Sequence, residues 1–258
     1  MSDSLPTLWH IEISHYSEKA RWAFAYKGVK HRRRAPLPGS HMAFAVFLTR
    51  GARKTFPILQ LEGRTIGDST EIVEALERRY PDPPLYPADP AQRRQALELE
   101  EFFDEELGPH IRQLAFHEMQ NDPDRLADVA RRAAPPALAR FGGMAAVYAR
   151  TFSRLRWKAE DVERAELARQ KVIAALDRVE AELDGGDYLV GDTFTVADLT
   201  AASLLYPLVL PPQGPTGEEA LSKGLRSFRE PLEGRRGFLW VQEMFARHRK
   251  PAGAGAYA

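Results

Sequence analysis

The chain has 258 residues, of which 44% are apolar and 28% are charged, and its 36 basic side chains balance 36 acidic ones. This composition is typical of a globular protein with a sizeable core and excludes a fibrous or wholly disordered chain. The zero net charge argues against a nucleic-acid-binding or polybasic membrane protein. Because the chain has no cysteine, any thiol chemistry requires a thiol from another molecule.

Targeting and metal-binding patterns are not found in this sequence. The N-terminal residues lack the basic start and apolar run of a signal peptide. The longest apolar-leaning stretch, Leu199 to Leu210, is too short to span a bilayer. No pair of histidines has the spacing of metal ligands. We therefore expect a soluble, cytoplasmic protein that binds no nucleic acid, membrane or metal.

The first third of the chain alternates strand and helix patterns. Strands are predicted over residues 8–13, 29–37, 56–61 and 65–66. One helix is predicted between the serines at 14 and 17 and a stop at Gly28. A second helix begins at Asp68-Ser-Thr-Glu71, a capping-box pattern, and ends at Pro81. The predicted order is βαβ followed by ββα.

A proline-rich segment follows this unit. Five prolines fall within residues 81–90, a composition that is typical of a linker. We therefore predict an α/β first domain at 1–82, a linker at 83–90 and an all-α second domain at 91–258.

The second domain is predicted to be helical over residues 91–107, 137–154, 165–183, 195–206 and 238–248. Pro109 is expected to end or kink the first of these helices. The stretch 208–237 holds several prolines and glycines and is predicted to be a long irregular insertion. Thr195 and Asp198 form a second capping-box pattern, so we interpret Asp198 as structural, with a loss of about 0.5–2 kcal/mol on its removal.

Three local patterns together resemble the soluble glutathione transferase superfamily, in its serine-type, bacterial-like form. They are Ile13-Ser-His-Tyr-Ser-Glu-Lys-Ala-Arg-Trp22, Phe56-Pro-Ile-Leu59 followed by Gly67-Asp-Ser69, and Tyr188-Leu-Val-Gly-Asp-Thr-Phe-Thr-Val-Ala-Asp198. The resemblance covers roughly residues 5–206. It implies a thioredoxin-like first domain that binds glutathione, a helical second domain, a homodimer and a role in detoxification.

Ser14 is the candidate catalytic residue. The resemblance implies this role, because superfamily members carry a catalytic Ser, Cys or Tyr in the loop before the first helix. From the residues alone, Ser14 could equally be a turn or capping serine. Ser17 is the alternate candidate, although its position fits the N-cap of the helix better. His15 is interpreted as an exposed turn histidine rather than a proton-transfer group.

The resemblance also implies four glutathione-binding residues. Pro57 matches a proline that the family holds in the cis form, which turns the backbone of Phe56 toward the cysteinyl unit. Ser69 and nearby N–H groups would receive the γ-glutamyl carboxylate, and Asp68 would pair with the γ-glutamyl ammonium. Both residues could also simply cap their helix. Phe56 departs from the family's usual valine, and Thr55 from its Lys or Gln.

The acceptor pocket is expected between the domains, against the first helices of the second domain. Its candidate residues are Phe102, Phe103, His110, Leu114, Phe116, His117, Phe141 and Tyr148.

The leading functional hypothesis is a serine-type glutathione S-transferase. It would hold the sulfur of its co-substrate glutathione as a thiolate and add it to a small apolar electrophile, without a metal. A binding or interaction protein with little turnover is one alternative, suggested by the departures at Thr55 and Phe56 and by the extra length at 120–160 and 208–237. Another is a dedicated glutathione-dependent dehalogenase, isomerase or peroxidase that shares the same site.

Overall fold

The computed structural model describes residues 5–36, 40–120 and 160–249, together with positions 122, 147, 150, 151, 154 and 158. The helix predicted over 137–154 lies almost entirely outside the described residues. Two acceptor-pocket candidates, Phe141 and Tyr148, also lie outside the described residues.

The first domain is built on a four-stranded mixed sheet. Its strands are β1 (Thr7–Trp9), β2 (Arg32–Arg34), β3 (Ile58–Leu61) and β4 (Arg64–Gly67), and its helices are α1 (His15–Tyr26), α2 (His41–Leu48) and α3 (Ser69–Arg79). The strand order is β2-β1-β3-β4, with β1 parallel to β2 and the other pairs antiparallel. This arrangement confirms the predicted thioredoxin-like α/β domain.

Some predicted boundaries in this domain are wrong. Strand β1 ends at Trp9 rather than at 13, because the chain turns and the Ser14 N–H donates to the Ile11 carbonyl at 3.1 Å. Strand β2 is likewise shorter than predicted, and β3 begins after Pro57, which has no N–H for a sheet ladder. Helix α2 was missed, because its sequence is apolar on every side and carries no helical periodicity.

The described residues after the linker are helical, as predicted for the second domain. The helices are α4 (Pro90–Phe102), α5 (Gly108–Gln120), α6 (Val162–Leu183), α7 (Val196–Val209), α8 (Lys223–Arg229) and α9 (Arg236–His248), with a π turn (Phe103–Leu107) between α4 and α5. Helix α7 is buried almost all round and packs against α1, α4 and α9. Its start holds the linker, since the Val196 N–H donates to the Leu85 carbonyl at 2.8 Å. The domain limits themselves stay a prediction.

Pro109 was predicted to end or kink the helix. The predicted end is wrong, because the chain stays helical from α4 through the π turn into α5. In the π turn, the Gly108 N–H donates to the Phe103 carbonyl. The next donor in that series would be Pro109, which has no N–H. The Asp104 carbonyl accepts the Tyr16 hydroxyl at 2.8 Å instead. The proline therefore leaves an acceptor to which the first domain docks.

Residues 208–237 are not the long irregular insertion that was predicted. Helix α7 continues into this stretch and α8 lies within it, flanked by two 3-10 turns, Glu218–Ala220 and Glu230–Leu232. Ser222 caps α8 by accepting the Leu225 N–H at 3.3 Å. The prolines and glycines mark the turns between short helical segments, whose leucines are buried.

Candidate active site

A cavity of about 630 Å³ opens between the sheet domain and the first helices of the second domain. Its lining includes Ser14, Phe56, Pro57, Asp68 and Ser69. These residues come from three separate segments, the start of α1, the loop before β3 and the start of α3. The fold thus brings together every residue predicted for catalysis or glutathione binding, apart from the alternate Ser17.

Ser14 is the N-cap of α1. Its hydroxyl oxygen accepts the Ser17 N–H at 3.3 Å, so the prediction that Ser17 is the cap is wrong. Ser17 is fully buried inside the first turn, and its own oxygen accepts the Ile11 N–H at 3.2 Å. Ser14 lines the cavity at the helix N-terminus, whereas Ser17 braces the loop behind it.

The loop before β3 places Phe56 and Pro57 on the cavity wall. The peptide bond between them is cis, as the family pattern predicted. The Phe56 ring is buried in a small cluster with Ala45 and Ile58. That cluster accommodates a bulky residue where the family usually has valine. The Pro57 carbonyl lies 3.5 Å from the Asp68 N–H, which joins this loop to the start of α3.

Asp68 holds an unusual backbone conformation at the N-cap of α3. Its φ is +101°, in the left-handed region that non-glycine residues seldom adopt. Its carboxylate accepts the Thr70 N–H at 3.0 Å. The reciprocal half of the predicted capping box is replaced by an ion pair between Glu71 and Arg53 at 2.5 Å. Such strained residues concentrate at ligand-binding sites, and Asp68 lies beside the buried Ser69 on this cavity.

A buried ion cluster forms part of the cavity wall, because Thr70, Glu100 and Asp104 line the cavity. The fully buried Lys19 ammonium is 2.6 Å from the Asp104 carboxylate and 2.9 Å from that of Glu100. It also donates to the Thr70 hydroxyl at 2.9 Å, which donates to Asp104 at 2.7 Å. Burial alone would lower the pKa of Lys19, but the two carboxylates raise it above its ordinary value. The cluster ties α1 and α3 to the helical domain beneath the site.

Sequence reasoning missed other polar residues of the cavity wall. They are His41, Lys54, Thr70, Glu74, Glu100, Glu101, Asp104, Glu105 and Arg112. The family usually has Lys or Gln at the position of Thr55. Here the neighbouring Lys54 supplies a cation to the cavity instead. The pair Arg53-Lys54 before the proline motif was the available signal for it. Arg112 had no local signal, because it reaches the cavity through the packing of α5.

His15 is buried, contrary to its interpretation as an exposed turn residue. Its Nε2 lies 2.9 Å from the Gly108 carbonyl, which can only accept, so Nε2 carries the proton. Burial, followed by the charge of Arg112, lowers the His15 pKa to about 3. Gly108 also leaves room for Tyr16, since a Cβ there would lie 2.1 Å from the Tyr16 hydroxyl oxygen. Both side chains dock the Ser14 loop onto α5.

A second cavity of about 100 Å³ adjoins the first. The two share Ile13, His15, Arg112 and Phe116. The remaining walls of the second are mostly apolar and come from α5, α7, α8 and the segment between α7 and α8. Among the described acceptor-pocket candidates, Phe116 lines both cavities. The others, Phe102, Phe103, His110, Leu114 and His117, line neither.

Two family models match this chain. Residues 8–84 match the glutathione S-transferase N-terminal domain, and residues 130–232 match the glutathione S-transferase C-terminal domain. The chain belongs to the glutathione S-transferase superfamily.

Among curated relatives, maleylacetoacetate isomerases are similar to this chain. The chain is 26% identical over 208 residues to a probable maleylacetoacetate isomerase of Caenorhabditis elegans, which covers 80% of each chain. It is 34% identical over 97 residues to the maleylacetoacetate isomerase of Rattus norvegicus, covering 36% of this chain and 44% of that protein.

Solved structures of low sequence identity share the fold. The beta-etherase LigF from Sphingobium sp. strain SYK-6 has a TM-score of 0.60 at 20% identity, covering 93% of this chain and 99% of its own. FzlA from C. crescentus has a TM-score of 0.58 at 20% identity, covering 99% and 96%. These likenesses concern the fold of the chain alone.

The described ranges contain neither a membrane-spanning helix nor a metal-binding cluster. No helix there is long and apolar enough to cross a membrane. No group of three or more His, Cys, Asp or Glu side chains among these residues is placed to hold a metal ion.

Proposed function

We propose that this protein is a serine-type glutathione-dependent enzyme that directs the glutathione thiolate at a small apolar electrophile. The observation that carries the proposal is the position of Ser14, which lines the main cavity at the N-terminus of α1. Helix N-termini present N–H groups and a partial positive charge, and both stabilise an anion. A sulfur bound beside Ser14 would therefore be favoured as a thiolate.

The required stabilisation is of a size that this arrangement can supply. A free thiol has a pKa of about 8.5, so a fall of about two units, equivalent to about 2.7 kcal/mol, makes thiolate the major form at neutral pH. A hydrogen bond to a charged group contributes about 1.5–3 kcal/mol, and a helix end adds up to about 1 kcal/mol. Ser14 receives the Ser17 N–H through its oxygen, so its own proton is available to the sulfur.

The other residues of the cavity suit the remaining parts of glutathione. Ser69 and the N-terminus of α3 would receive the γ-glutamyl carboxylate, and Asp68 its ammonium group. The Phe56–Pro57 loop would meet the cysteinyl backbone. Lys54 would pair with the glycyl carboxylate, in place of the family's usual residue at 55. The apolar second cavity, reached past Phe116, would accept the apolar part of the electrophile.

The reaction would begin with attack of the thiolate on an electrophilic carbon. A carbon–sulfur bond forms, and the electron pair leaves either with a displaced group or onto a conjugated acceptor that then takes a proton. No oxidation is involved. Mixed-disulfide reductase chemistry at the enzyme is excluded, because serine replaces the cysteine it would need and the chain has no cysteine.

A glutathione-dependent isomerase is the second candidate, favoured by the names of the curated relatives. In that reaction the thiolate would add to a conjugated cis double bond, the resulting single bond would rotate, and the thiolate would leave as the trans double bond forms. Glutathione would be regenerated in each cycle. The same Ser14 site serves both candidates, so substrate tests must separate them.

The first experiment is a calorimetric titration of glutathione while thiolate absorbance in the ultraviolet is recorded against pH. We expect saturable binding and a thiolate signal near neutral pH in the wild type. Ser14→Ala is expected to remove the signal, whereas Ser17→Ala, the matched control, is expected to keep most of it. No binding at millimolar glutathione would overturn the proposal and favour a binding protein on this scaffold.

A substrate panel then separates the two candidates. Haloarenes and activated alkenes would be offered beside conjugated cis-enoic acids. Conjugate that accumulates and consumes glutathione supports the transferase. Cis-to-trans conversion with no net consumption of glutathione supports the isomerase. Saturable glutathione binding with neither outcome would contradict both.

A further inference from the structure

The peptide group that joins Ile13 to Ser14 is held at both ends. Its N–H, on Ser14, donates to the Ile11 carbonyl at 3.1 Å. Its carbonyl, on Ile13, accepts the Tyr206 hydroxyl at 2.7 Å. Tyr206 belongs to α7 in the helical domain and lies 193 positions from Ile13 along the chain. A residue of the other domain thus helps to fix the backbone of Ser14.

Helix α1 itself holds the carbonyls that come just before. Arg21 donates to the Ile11 carbonyl at 3.2 Å and to the Glu12 carbonyl at 2.9 Å. Its guanidinium is held in turn by Glu18, through a buried ion pair at 2.7 Å. The loop carbonyls of Ile11 and Glu12 are therefore fixed within the first domain, whereas that of Ile13 depends on α7.

The surroundings of Tyr206 suit a permanent donor. The side chain is 2% exposed, on a helix that is buried on nearly all sides. Burial raises the pKa of its phenol, so the hydroxyl keeps its proton. The nearby Thr216 side chain partly offsets this rise in the Tyr206 pKa. Tyr206, Thr216 and Ile13 all line the second cavity, so this contact lies in the wall of the pocket proposed for the electrophile.

We propose that Tyr206 is a positioning residue for Ser14, and that through the Ile13 carbonyl it sets the direction in which the Ser14 hydroxyl meets the glutathione sulfur. The inference rests on the proposed function of Ser14. Tyr206 itself lines the second cavity but not the first, so it acts through the loop and not on the sulfur. Loss of its hydroxyl would loosen the Ile13–Ser14 peptide group while the glutathione-binding residues stay in place.

Tyr206→Phe tests this role, because it keeps the buried ring and removes the hydroxyl. We expect the thiol pKa of bound glutathione to rise by about half a unit to one unit and kcat to fall about three- to tenfold, the scale of one hydrogen bond. The KM for glutathione is expected to stay within about twofold, since uniform binding is untouched. The Ser14 amide is expected to exchange its hydrogen faster, as measured by mass spectrometry or NMR.

Two matched variants control for general loss of stability. Thr216→Val removes a hydroxyl near that of Tyr206 and leaves the Ile13 contact. Tyr188→Phe removes a hydroxyl that contacts His248 at 3.0 Å, within the helical domain. Both are expected to leave the thiol pKa and the Ser14 amide exchange unchanged. If Tyr206→Phe matches them in both readouts, Tyr206 is merely structural and the inference is overturned.

The outcomes also separate this inference from the proposed function. If the wild type forms no thiolate, or Ser14→Ala retains it, the proposed function fails and the role of Tyr206 fails with it. If Ser14→Ala removes the thiolate and Tyr206→Phe leaves its pKa unchanged, the inference about Tyr206 alone fails.

Discussion

The helices α1 and α7 both begin at a hydroxyl-bearing N-cap, but the two starts differ. At α7 the cap is closed, because Asp198 accepts the N–H and hydroxyl of Thr195 at 2.8 and 2.9 Å and all are buried. At α1 the residue three positions after Ser14 is Ser17, which has no carboxylate to complete such a box. At a closed cap, the hydrogen-bonding groups are paired within the fold. At an open cap beside a cavity, the N–H groups of the helix N-terminus can bind an anion.

The largest expected effect comes from opening the closed cap. Asp198→Ala leaves the N–H groups of Leu189 and Thr195, both bonded to the carboxylate at 2.8 Å, without this acceptor in a buried region. We expect a loss of about 3 kcal/mol in the free energy of unfolding, above the usual cost of a lost cap. Urea unfolding measures it. A change in the thiol pKa of bound glutathione in the folded variant would contradict the comparison.

Removing the open cap is expected to give the opposite pattern. Ser14→Ala should lower kcat about a hundredfold, equivalent to about 2.7 kcal/mol of lost thiolate stabilisation, and lower the unfolding free energy by only about 1 kcal/mol. Steady-state kinetics and urea unfolding on the same preparation give both numbers. Equal turnover in Ser14→Ala and wild type would show that the open cap has no chemical role.

Acid is expected to weaken the docking of the open cap. The His15 pKa falls from 6.5 to about 3 on folding, so between these values the unfolded chain binds more protons. The contribution of neutral His15 to the free energy of unfolding is therefore full above pH 6.5 and declines as the pH falls. At pH 5 it is smaller by about 2 kcal/mol. Urea unfolding at pH 7 and pH 5 measures this loss together with those of His10 and His31, whose pKa values burial also lowers. His15→Gln, which can still donate to the Gly108 carbonyl, should reduce it; an equal loss in the variant would contradict the assignment.

The smallest expected effect distinguishes Ser17, which braces the loop before α1, from Ser14, which caps the helix. Ser17→Ala removes the acceptor of the Ile11 N–H, a bond of 3.2 Å. We expect a loss of about 1 kcal/mol in unfolding free energy and a fall in kcat of about threefold or less. A larger loss of turnover in Ser17→Ala than in Ser14→Ala would exchange the roles of the two serines.

Local patterns in the sequence predicted those parts of the site that depend on local hydrogen bonds. The cap at Asp68 and the closed box at Asp198 each involve residues within a few positions of one another. The cis bond at Pro57 was predicted from the family resemblance instead. Helix α2 escaped because it is apolar on every side. Arg112 and Tyr206 were not predicted, because their positions depend on packing between distant segments, which no short pattern encodes.

The contact between Tyr16 and the π turn limits which helical domains can be combined with this sheet domain. Gly108 makes room for the Tyr16 ring, and Pro109 leaves the Asp104 carbonyl to the Tyr16 hydroxyl. The sheet domain and the helical domain are therefore complementary in shape and hydrogen bonding at this contact. A chimera that grafts this sheet domain onto a relative's helices must bring both the glycine and the proline with it. Without them, the helices of the relative would lack both the space for the Tyr16 ring and the carbonyl that accepts its hydroxyl.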